Sequence, residues 1–265
     1  MLNKGFSLTV LLLILATSVS GQEPASAPPA SSQVYQLVEG GMRKEELQRL
    51  DPDLLALLEK LNRADASRLA RLPALVMPAS DALDELQHSP LPLTFDWASE
   101  LPKALVVHLP SQVFGAYERG SLVRWGPISS GRESDRTPSG LFYLNWKSPG
   151  RHSSIDPDWY MPWYFNFEAR RGIAFHQYRL PGVPASHACI RLLERDAKWL
   201  FEWGEGWKHN ERGRRIPASG TPVLILGQYD FDAPPPWRSL SWLAAGVTLP
   251  QELEYLNARL TSPSP

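Results

Sequence analysis

The sequence predicts a mainly β domain with one or two helices, preceded by a small α/β or helical module. Short apolar runs separated by turn residues fill much of the segment 104–146, and such spacing is typical of an all-β domain. A clear helical period follows only over Asp196–Trp207. Over residues 34–78, in contrast, a strand-like run, two helical segments and a second strand-like run follow one another. These differences predict two structural units of different class.

The small module contains two predicted helices and a closing strand. Leucines and charged residues at helical spacing indicate helices over Lys44–Leu50 and Asp53–Leu61. Asp51 is expected to cap the second helix, with Pro52 at its first position. The run Ala74–Pro78 is typical of a short strand that a proline closes.

The β domain contains five clear strand candidates: Ala104–Leu109, Gln112–Tyr117, Leu122–Ile128, Leu141–Trp146 and Pro222–Gly227. The stretch Gly115–Gly120 predicts a hairpin between the second and the third. In the helix Asp196–Trp207, residues Trp199, Trp203 and Trp207 recur every four positions and are expected to line one face. Core packing explains this stripe more simply than ligand stacking does.

The start of the chain indicates export. Lys4 precedes the apolar run Phe6–Ala16, and small polar residues follow at Thr17–Gly21, which is the pattern of a secretory signal peptide. The run is short for a membrane-spanning helix, so we expect no stable membrane insertion after cleavage. A retained membrane anchor is the alternative.

The chain of 265 residues thus divides into six predicted segments. They are a signal peptide (1–21), a flexible linker (22–33), the small module (34–78), a second linker (79–102), the β domain (103–228) and a C-terminal extension (229–265) in which Leu249–Leu260 is a candidate helix. Prolines, alanines and serines dominate the first linker, and such a composition is typical of a tether.

Composition excludes several classes of function. The formal net charge is −1, so no global electrostatic field favours nucleic acid or an anionic membrane. The single cysteine, Cys189, excludes an internal disulfide and a multi-cysteine metal site. By composition alone, a lone cysteine is most simply a small buried hydrophobic residue.

The surroundings of Cys189 favour catalysis instead. His176 and His187 lie within thirteen residues of it, and the small residues before it allow a turn that presents the sulfur. Either histidine is a candidate base, because His187 points the same way as Cys189 in an extended segment while His176 can reach it from a neighbouring strand. Backbone N–H groups of the segment His187–Cys189 are candidates for an oxyanion hole.

An ordered set of motifs surrounds this cysteine. His176 follows a strand-like run, Gly182 and Pro184 bracket a turn, and Ser186–Leu192 reads Ser-His-Ala-Cys-Ile-Arg-Leu. Upstream, Ser129–Gly131 reads Ser-Ser-Gly and Thr137–Gly140 reads Thr-Pro-Ser-Gly. Together with the aromatic run at Trp163 and Tyr164, this order resembles the catalytic domain of the L,D-transpeptidases over roughly Lys103 to Gly227.

The resemblance implies a β-sandwich or barrel-like fold and a set of roles. It implies that Cys189 is the nucleophile and His176 the general base, and that the two form a thiolate–imidazolium pair. The oxyanion loop would consist of Ser186, His187 and Ala188, and the supporting or substrate-binding residues would be Arg191, Gln177, Trp163 and Tyr164. The carbonyl of Gln177 is expected to orient the imidazole. Where the family has glycine before the cysteine, this chain has Ala188, which costs about 1 kcal/mol if φ is positive there.

The implied reaction is L,D-transpeptidation of peptidoglycan stem peptides in the periplasm or at the cell wall. The thiolate would attack the carbonyl before a terminal D-Ala, form a thioester and pass the acyl group to an amine. The resemblance implies no metal and no organic cofactor, and nucleic acid is not an expected partner. Two alternatives stay open, namely an L,D-carboxypeptidase with water as acceptor and a catalytically silent peptidoglycan-binding protein. Neither the acceptor nor the oligomeric state follows from the sequence.

The small module shows a second, weaker resemblance. The order of its segments is similar to that of a degenerate LysM module, a small peptidoglycan-binding fold. Where LysM modules carry Gly-Asp-Thr after the first strand, this chain has Gly40-Gly41-Met42. A helical spacer without a ligand is the alternative interpretation of residues 34–78.

Overall fold

A computed structural model describes residues 35–79, 84–153, 156–247 and 249. The predicted signal peptide and tether lie outside these residues, and so does the candidate C-terminal helix except for Leu249. Within the described part of the chain, no helix has the length and apolar character needed to cross a membrane.

The small module has the order strand, three helices, strand: β1 (Tyr35–Glu39), α1 (Lys44–Leu47), α2 (Pro52–Asn62), α3 (Ala66–Leu69) and β2 (Ala74–Pro78). β1 and β2 pair in antiparallel fashion. The Asp51 side chain accepts hydrogen bonds from the N–H groups of Asp53 and Leu54, with Pro52 first in α2, as predicted. α1 ends at Leu47 and is therefore three residues shorter than predicted.

Nine strands form the second sheet. They are β3 (Ala104–His108), β4 (Val113–Glu118), β5 (Ser121–Ser129), β6 (Gly140–Tyr143), β7 (Lys147–His152), β8 (Tyr160–Glu168), β9 (Ile173–Gln177), β10 (Ile190–Leu192) and β11 (Pro222–Leu226). Their spatial order is β6-β11-β3-β4-β5-β10-β9-β8-β7. Arg119 and Gly120 connect β4 to β5 with φ values of 46° and 79°, as a tight hairpin turn of the I′ class requires. The mainly β prediction is confirmed.

The helix α4 (Glu194–Trp203) packs against β8 and β9. The predicted helix to Trp207 is therefore too long, and the prediction of a three-tryptophan stripe is wrong. A Cβ at Gly204 would lie 2.7 Å from Cδ1 of Leu144, so the chain passes the sheet too closely for a side chain at this residue. Trp199 and Trp203 stack with their centroids 5.0 Å apart, whereas the N–H of Trp207 donates to the carbonyl of Asn145.

The segments on either side of the β domain pack onto folded structure. Short 3₁₀ helices over Glu85–His88 and Asp96–Ala98 lie in the predicted second linker, where Leu91 and Phe95 enter a core with Trp125. After β11, the helix α5 (Leu240–Ala245) contacts β1. The described part of the C-terminal extension thus packs on the small module.

A buried arginine joins the small module to the sheet. Arg63 follows α2 with a positive φ of 54°, and its side chain is fully buried. Its Nε donates to the carbonyl of Ser111 at 3.0 Å, and its Nη1 donates to two carbonyls in the last turn of α2 at 2.5 and 3.0 Å. The guanidinium lies 5.8 and 5.4 Å from the ring centroids of Trp125 and Trp237. Burial lowers the pKa of Arg63 to about 9.

We expect Arg63→Ala to lower the free energy of unfolding by about 3 kcal/mol, because it leaves a cavity and deprives buried carbonyls of their donors. Urea denaturation measures the change. Arg68→Ala, at a half-buried position of α3, is the matched control and should change stability by less than about 0.5 kcal/mol. Equal losses in the two variants would contradict a structural role for the buried guanidinium.

Candidate active site

The pairing of β9 with β10 brings the two predicted catalytic side chains together. The two strands run parallel, with Ile190 opposite Phe175 and Arg191 opposite His176. Phe175 and Ile190 enter the main core, so His176 and Arg191 point to the other face of the sheet, since side chains alternate along a strand. Cys189 directly precedes β10, and His176, Cys189 and Arg191 line one pocket.

His176 is held as a neutral imidazole. Its Nδ1 lies 2.9 Å from the carbonyl oxygen of Gln177, which only accepts, so Nδ1 carries the proton and Nε2 keeps its lone pair. This is the orientation expected from the sequence. The side chain is 5% exposed, and burial lowers the pKa of His176 to about 4. At neutral pH the ring is therefore unprotonated at Nε2.

Cys189 is held as a thiol. Burial raises the pKa of Cys189, while the N–H of Ala174 and the cations Arg191 and Arg151 act in the opposite direction. The expected thiolate–imidazolium pair is therefore not the resting form. Burial disfavours the charged state of both side chains.

The loop before Cys189 is tightly bonded. The N–H groups of Ala185 and Ser186 both donate to the carbonyl of Ser130, each at 3.0 Å, and the Ser186 hydroxyl donates to the carbonyl of Cys189. The N–H of Ser186 is thus already used. The N–H groups of His187, Ala188 and Cys189 are the remaining candidates for an oxyanion site.

Ala188 adopts the backbone conformation that glycine prefers, with φ at 73°. Its carbonyl accepts a hydrogen bond from the Thr137 hydroxyl at 2.8 Å, and the same oxygen of Thr137 accepts from the N–H of Gly131 at 2.9 Å. A Cβ on Gly131 would lie 2.0 Å from the carbonyl oxygen of Asp135. The two upstream motifs thus fix the backbone of the loop.

The aromatic residues predicted near the site divide between two faces. Trp163 has a φ of 54° and packs edge-on against Phe201 of α4 at 5.5 Å, so it contacts the core and does not line the pocket. Tyr164 is buried on the other side, where its hydroxyl donates to the carbonyl of Gly172 at 2.9 Å. The same carbonyl lies 4.0 Å from Sγ of Cys189.

Four pocket residues escaped the sequence argument: Ser153, Trp159, Met161 and Tyr178. The ring of Trp159 lies 4.9 Å from that of His187, and the Arg191 guanidinium lies 4.7 Å from the ring of Tyr178. Tyr178 is two residues beyond His176, so the same-face rule for strands identifies it in retrospect. No comparable pattern marks Trp159.

The small module also contacts the catalytic loop. The N–H of Asp65 donates to the carbonyl of Leu180 at 3.1 Å, and the N–H of Leu180 donates to the Asp65 carboxylate at 2.8 Å. Ala64 and Pro181 form an isolated β-bridge beside them. The segment between His176 and Cys189 is thus held from outside the β domain.

Comparisons with known proteins agree with the motif analysis. Residues 102–225 match the family model YkuD, described as the L,D-transpeptidase catalytic domain. The resemblance predicted for this part of the chain is therefore confirmed, whereas no comparison bears on the LysM-like prediction. No curated protein sequence matches the chain.

Several solved structures are similar to part of the chain. An L,D-transpeptidase from Stackebrandtia nassauensis is 20% identical over 57% of this chain and 69% of its own, with a TM-score of 0.42. For an L,D-transpeptidase from Mycobacterium smegmatis the identity is 18%, the coverage 48% of this chain and the TM-score 0.38. L,D-transpeptidase 1 from Mycobacterium tuberculosis is 20% identical over 48% of this chain, with a TM-score of 0.36. The matches span only 59% and 62% of the two mycobacterial chains.

We expect Ala188→Gly to be about 2 kcal/mol more stable than Ala197→Gly, measured by urea denaturation. Both changes remove a buried methyl group from the same core. The first relieves a left-handed alanine, worth about 1 kcal/mol, whereas the second places glycine inside α4 at a cost of about 1 kcal/mol. Equal destabilisation would show that the backbone at Ala188 is not strained.

We expect acid to weaken the fold through His176. Between pH 6.5 and 4 the unfolded chain binds a proton that the buried ring does not, so stability falls as the pH falls. The loss is about 2 kcal/mol at pH 4.5, from the shift of the pKa to about 4. Urea denaturation at pH 7 and 4.5 should show a smaller loss in His176→Gln than in the wild type. Burial also lowers the pKa of His108 to about 4. Because His108 is present in both proteins, its contribution to the loss of stability cancels when the two are compared.

Proposed function

We propose that this protein is a peptidoglycan L,D-transpeptidase with Cys189 as nucleophile and His176 as general base. One observation carries the proposal. The only cysteine of the chain and a neutral histidine, oriented by the Gln177 carbonyl, line one pocket. The part of the chain that holds them matches the L,D-transpeptidase family model.

Acylation begins with proton transfer. As the Cys189 sulfur bonds to the carbonyl carbon before a terminal D-Ala, its proton passes to Nε2 of His176. Because Nδ1 stays bonded to the Gln177 carbonyl, the ring keeps its orientation while it is charged. The oxyanion accepts hydrogen bonds from N–H groups of residues 187–189. His176 then returns the proton to the leaving amine, the C–N bond breaks and a thioester remains.

Transfer reverses these steps with a second amine. The acceptor nitrogen bonds to the thioester carbon and gives its proton to His176, and the C–S bond breaks. The thiolate of Cys189 recovers a proton from the imidazolium. A neutral base suits both half-reactions, since a base that is already protonated accepts nothing. These steps require proton and acyl transfer only.

Arg191 is proposed to bind a substrate carboxylate. It lines the pocket and packs over the ring of Tyr178, an arrangement that fixes the guanidinium plane while leaving its N–H groups available at the edge. The apolar run after Lys4 supports export of the protein to the periplasm or cell wall, where stem peptides occur.

A defined disaccharide-tetrapeptide tests the proposal. We expect the wild type to gain the mass of the acyl group after loss of D-Ala, and to form cross-linked dimers. Cys189→Ala should form neither, a loss of at least about 1000-fold given the role of a nucleophile. Thr221→Ala, which removes a buried hydroxyl that accepts from the N–H of Glu205 outside the pocket, is the control for general disturbance.

Three outcomes separate the alternatives. Cross-linking by Cys189→Ala contradicts the assignment of the nucleophile. Release of D-Ala with tripeptide as the only product indicates an L,D-carboxypeptidase. Binding of the muropeptide without any adduct on Cys189 indicates a silent binding protein.

A further inference from the structure

A second cleft, of about 660 Å³, lies between the small module and the β domain. This volume falls within the range of small-molecule sites, about 300–1000 Å³. One wall is formed by Glu59 and by Asp65–Ser67, at the start of α3. The other wall is formed by Gln177–Arg179, where β9 ends, and by the beginning of α4 with Lys198. We refer to it as the module cleft.

The module cleft adjoins the catalytic pocket at Tyr178. Tyr178 lines both cavities, and it follows His176 by two residues. Gln177, whose carbonyl orients the imidazole, also lines the cleft. An extended chain advances about 3.3 Å per residue, so a peptide in the cleft needs only two or three residues to pass from Arg179 to the base. Its reactive group would arrive on the His176 side of the thiol.

The walls of the cleft are preformed. Two hydrogen bonds between Asp65 and Leu180 join them directly. Glu59 accepts from the N–H of Ala66 at 2.7 Å and forms an ion pair with Arg195 on the opposite wall. A cleft braced across its base in this way exists before any ligand binds, which lowers the ordering cost of binding.

The charges of the cleft are balanced. Glu59 and Arg195 neutralise one another. Among the other lining residues, Glu194 is an exposed acid, and Arg179 and Lys198 are exposed cations; Asp65 adds a second carboxylate. The Asp65 carboxylate is already bonded to the N–H of Leu180 and the hydroxyl of Ser67. The exposed carboxylate of Glu194 and the exposed cations Arg179 and Lys198 line the same cleft, and this mixed set favours a ligand with both an amine and carboxylates over a polyanion.

We propose that the module cleft binds the acyl acceptor, a peptide with a free amine and at least one carboxylate. This inference rests on the proposed function and names the second substrate of the same site. The cleft holds the acceptor beside His176, so its nitrogen bonds to the thioester carbon, its proton passes to His176, and the C–S bond to Cys189 breaks. Without a bound acceptor, water takes the same position and the thioester is hydrolysed.

Filling the cleft separates the two half-reactions. We expect Ser67→Trp to leave the rate of acyl-enzyme formation from a tetrapeptide donor within about twofold, and to lower the ratio of cross-linked to hydrolysed product at least about tenfold, a change equivalent to 1.4 kcal/mol. Arg68→Trp, which adds the same side chain at the next residue of α3 outside the cleft lining, should match the wild type.

A charge reversal provides a second variant that keeps the cleft open. Lys198→Glu should raise the KM for the acceptor severalfold while the acylation rate stays unchanged, and Lys44→Glu on α1 is its matched control. Thermal unfolding of each variant confirms that it is folded. If the wild type forms no acyl-enzyme, the proposed function is wrong. If acylation occurs and both cleft variants partition like the wild type, the acceptor site alone is wrong.

Discussion

The parallel pairing of β9 with β10 is the constraint on which the site depends. Neighbouring parallel strands cannot be joined by a tight turn, so the chain between His176 and Cys189 must leave the sheet and return to start β10 beside β9. That return loop has no ladder of its own. Its backbone bonds go instead to Ser130 and Asp65, and this explains why motifs far apart in the sequence meet at one cysteine.

Local patterns were sufficient to predict most of the sheet, and their failures have physical causes. Strands β3, β4 and β11 are largely apolar runs whose residues are almost all buried, and such runs stand out in a sequence. β7 does not stand out in this way, because it contains Pro149 and Gly150. It lies at the edge of the sheet, where one row of backbone groups is unpaired and proline is tolerated. α4 ends before Gly204, where a side chain would collide with Leu144 and Phe165, and no helical period reveals these distant neighbours.

The motifs were sufficient to predict which residues form the candidate site, but not the protonation state of each residue. Order and spacing left both His176 and His187 as partners for Cys189, and only the resemblance to the L,D-transpeptidases favoured His176. Protonation depends on how much protein surrounds each group, which only the packed structure determines. The direction of Trp163 depends on a single left-handed residue within β8. The contact of Asp65 with Leu180 spans 115 positions along the chain, beyond the reach of any local pattern.

The hydrogen bonds between Asp65 and Leu180 constrain how the domain arrangement of such a protein can evolve. Domains joined by a bare tether can be exchanged, duplicated or lost as independent units, because no site depends on their neighbours. Here, a residue of the small module supplies both a donor and an acceptor to the loop that carries the cysteine segment. Recombination at the boundary would leave Leu180 with two unpaired backbone groups. The two parts are therefore expected to evolve together, with changes in one compensated in the other.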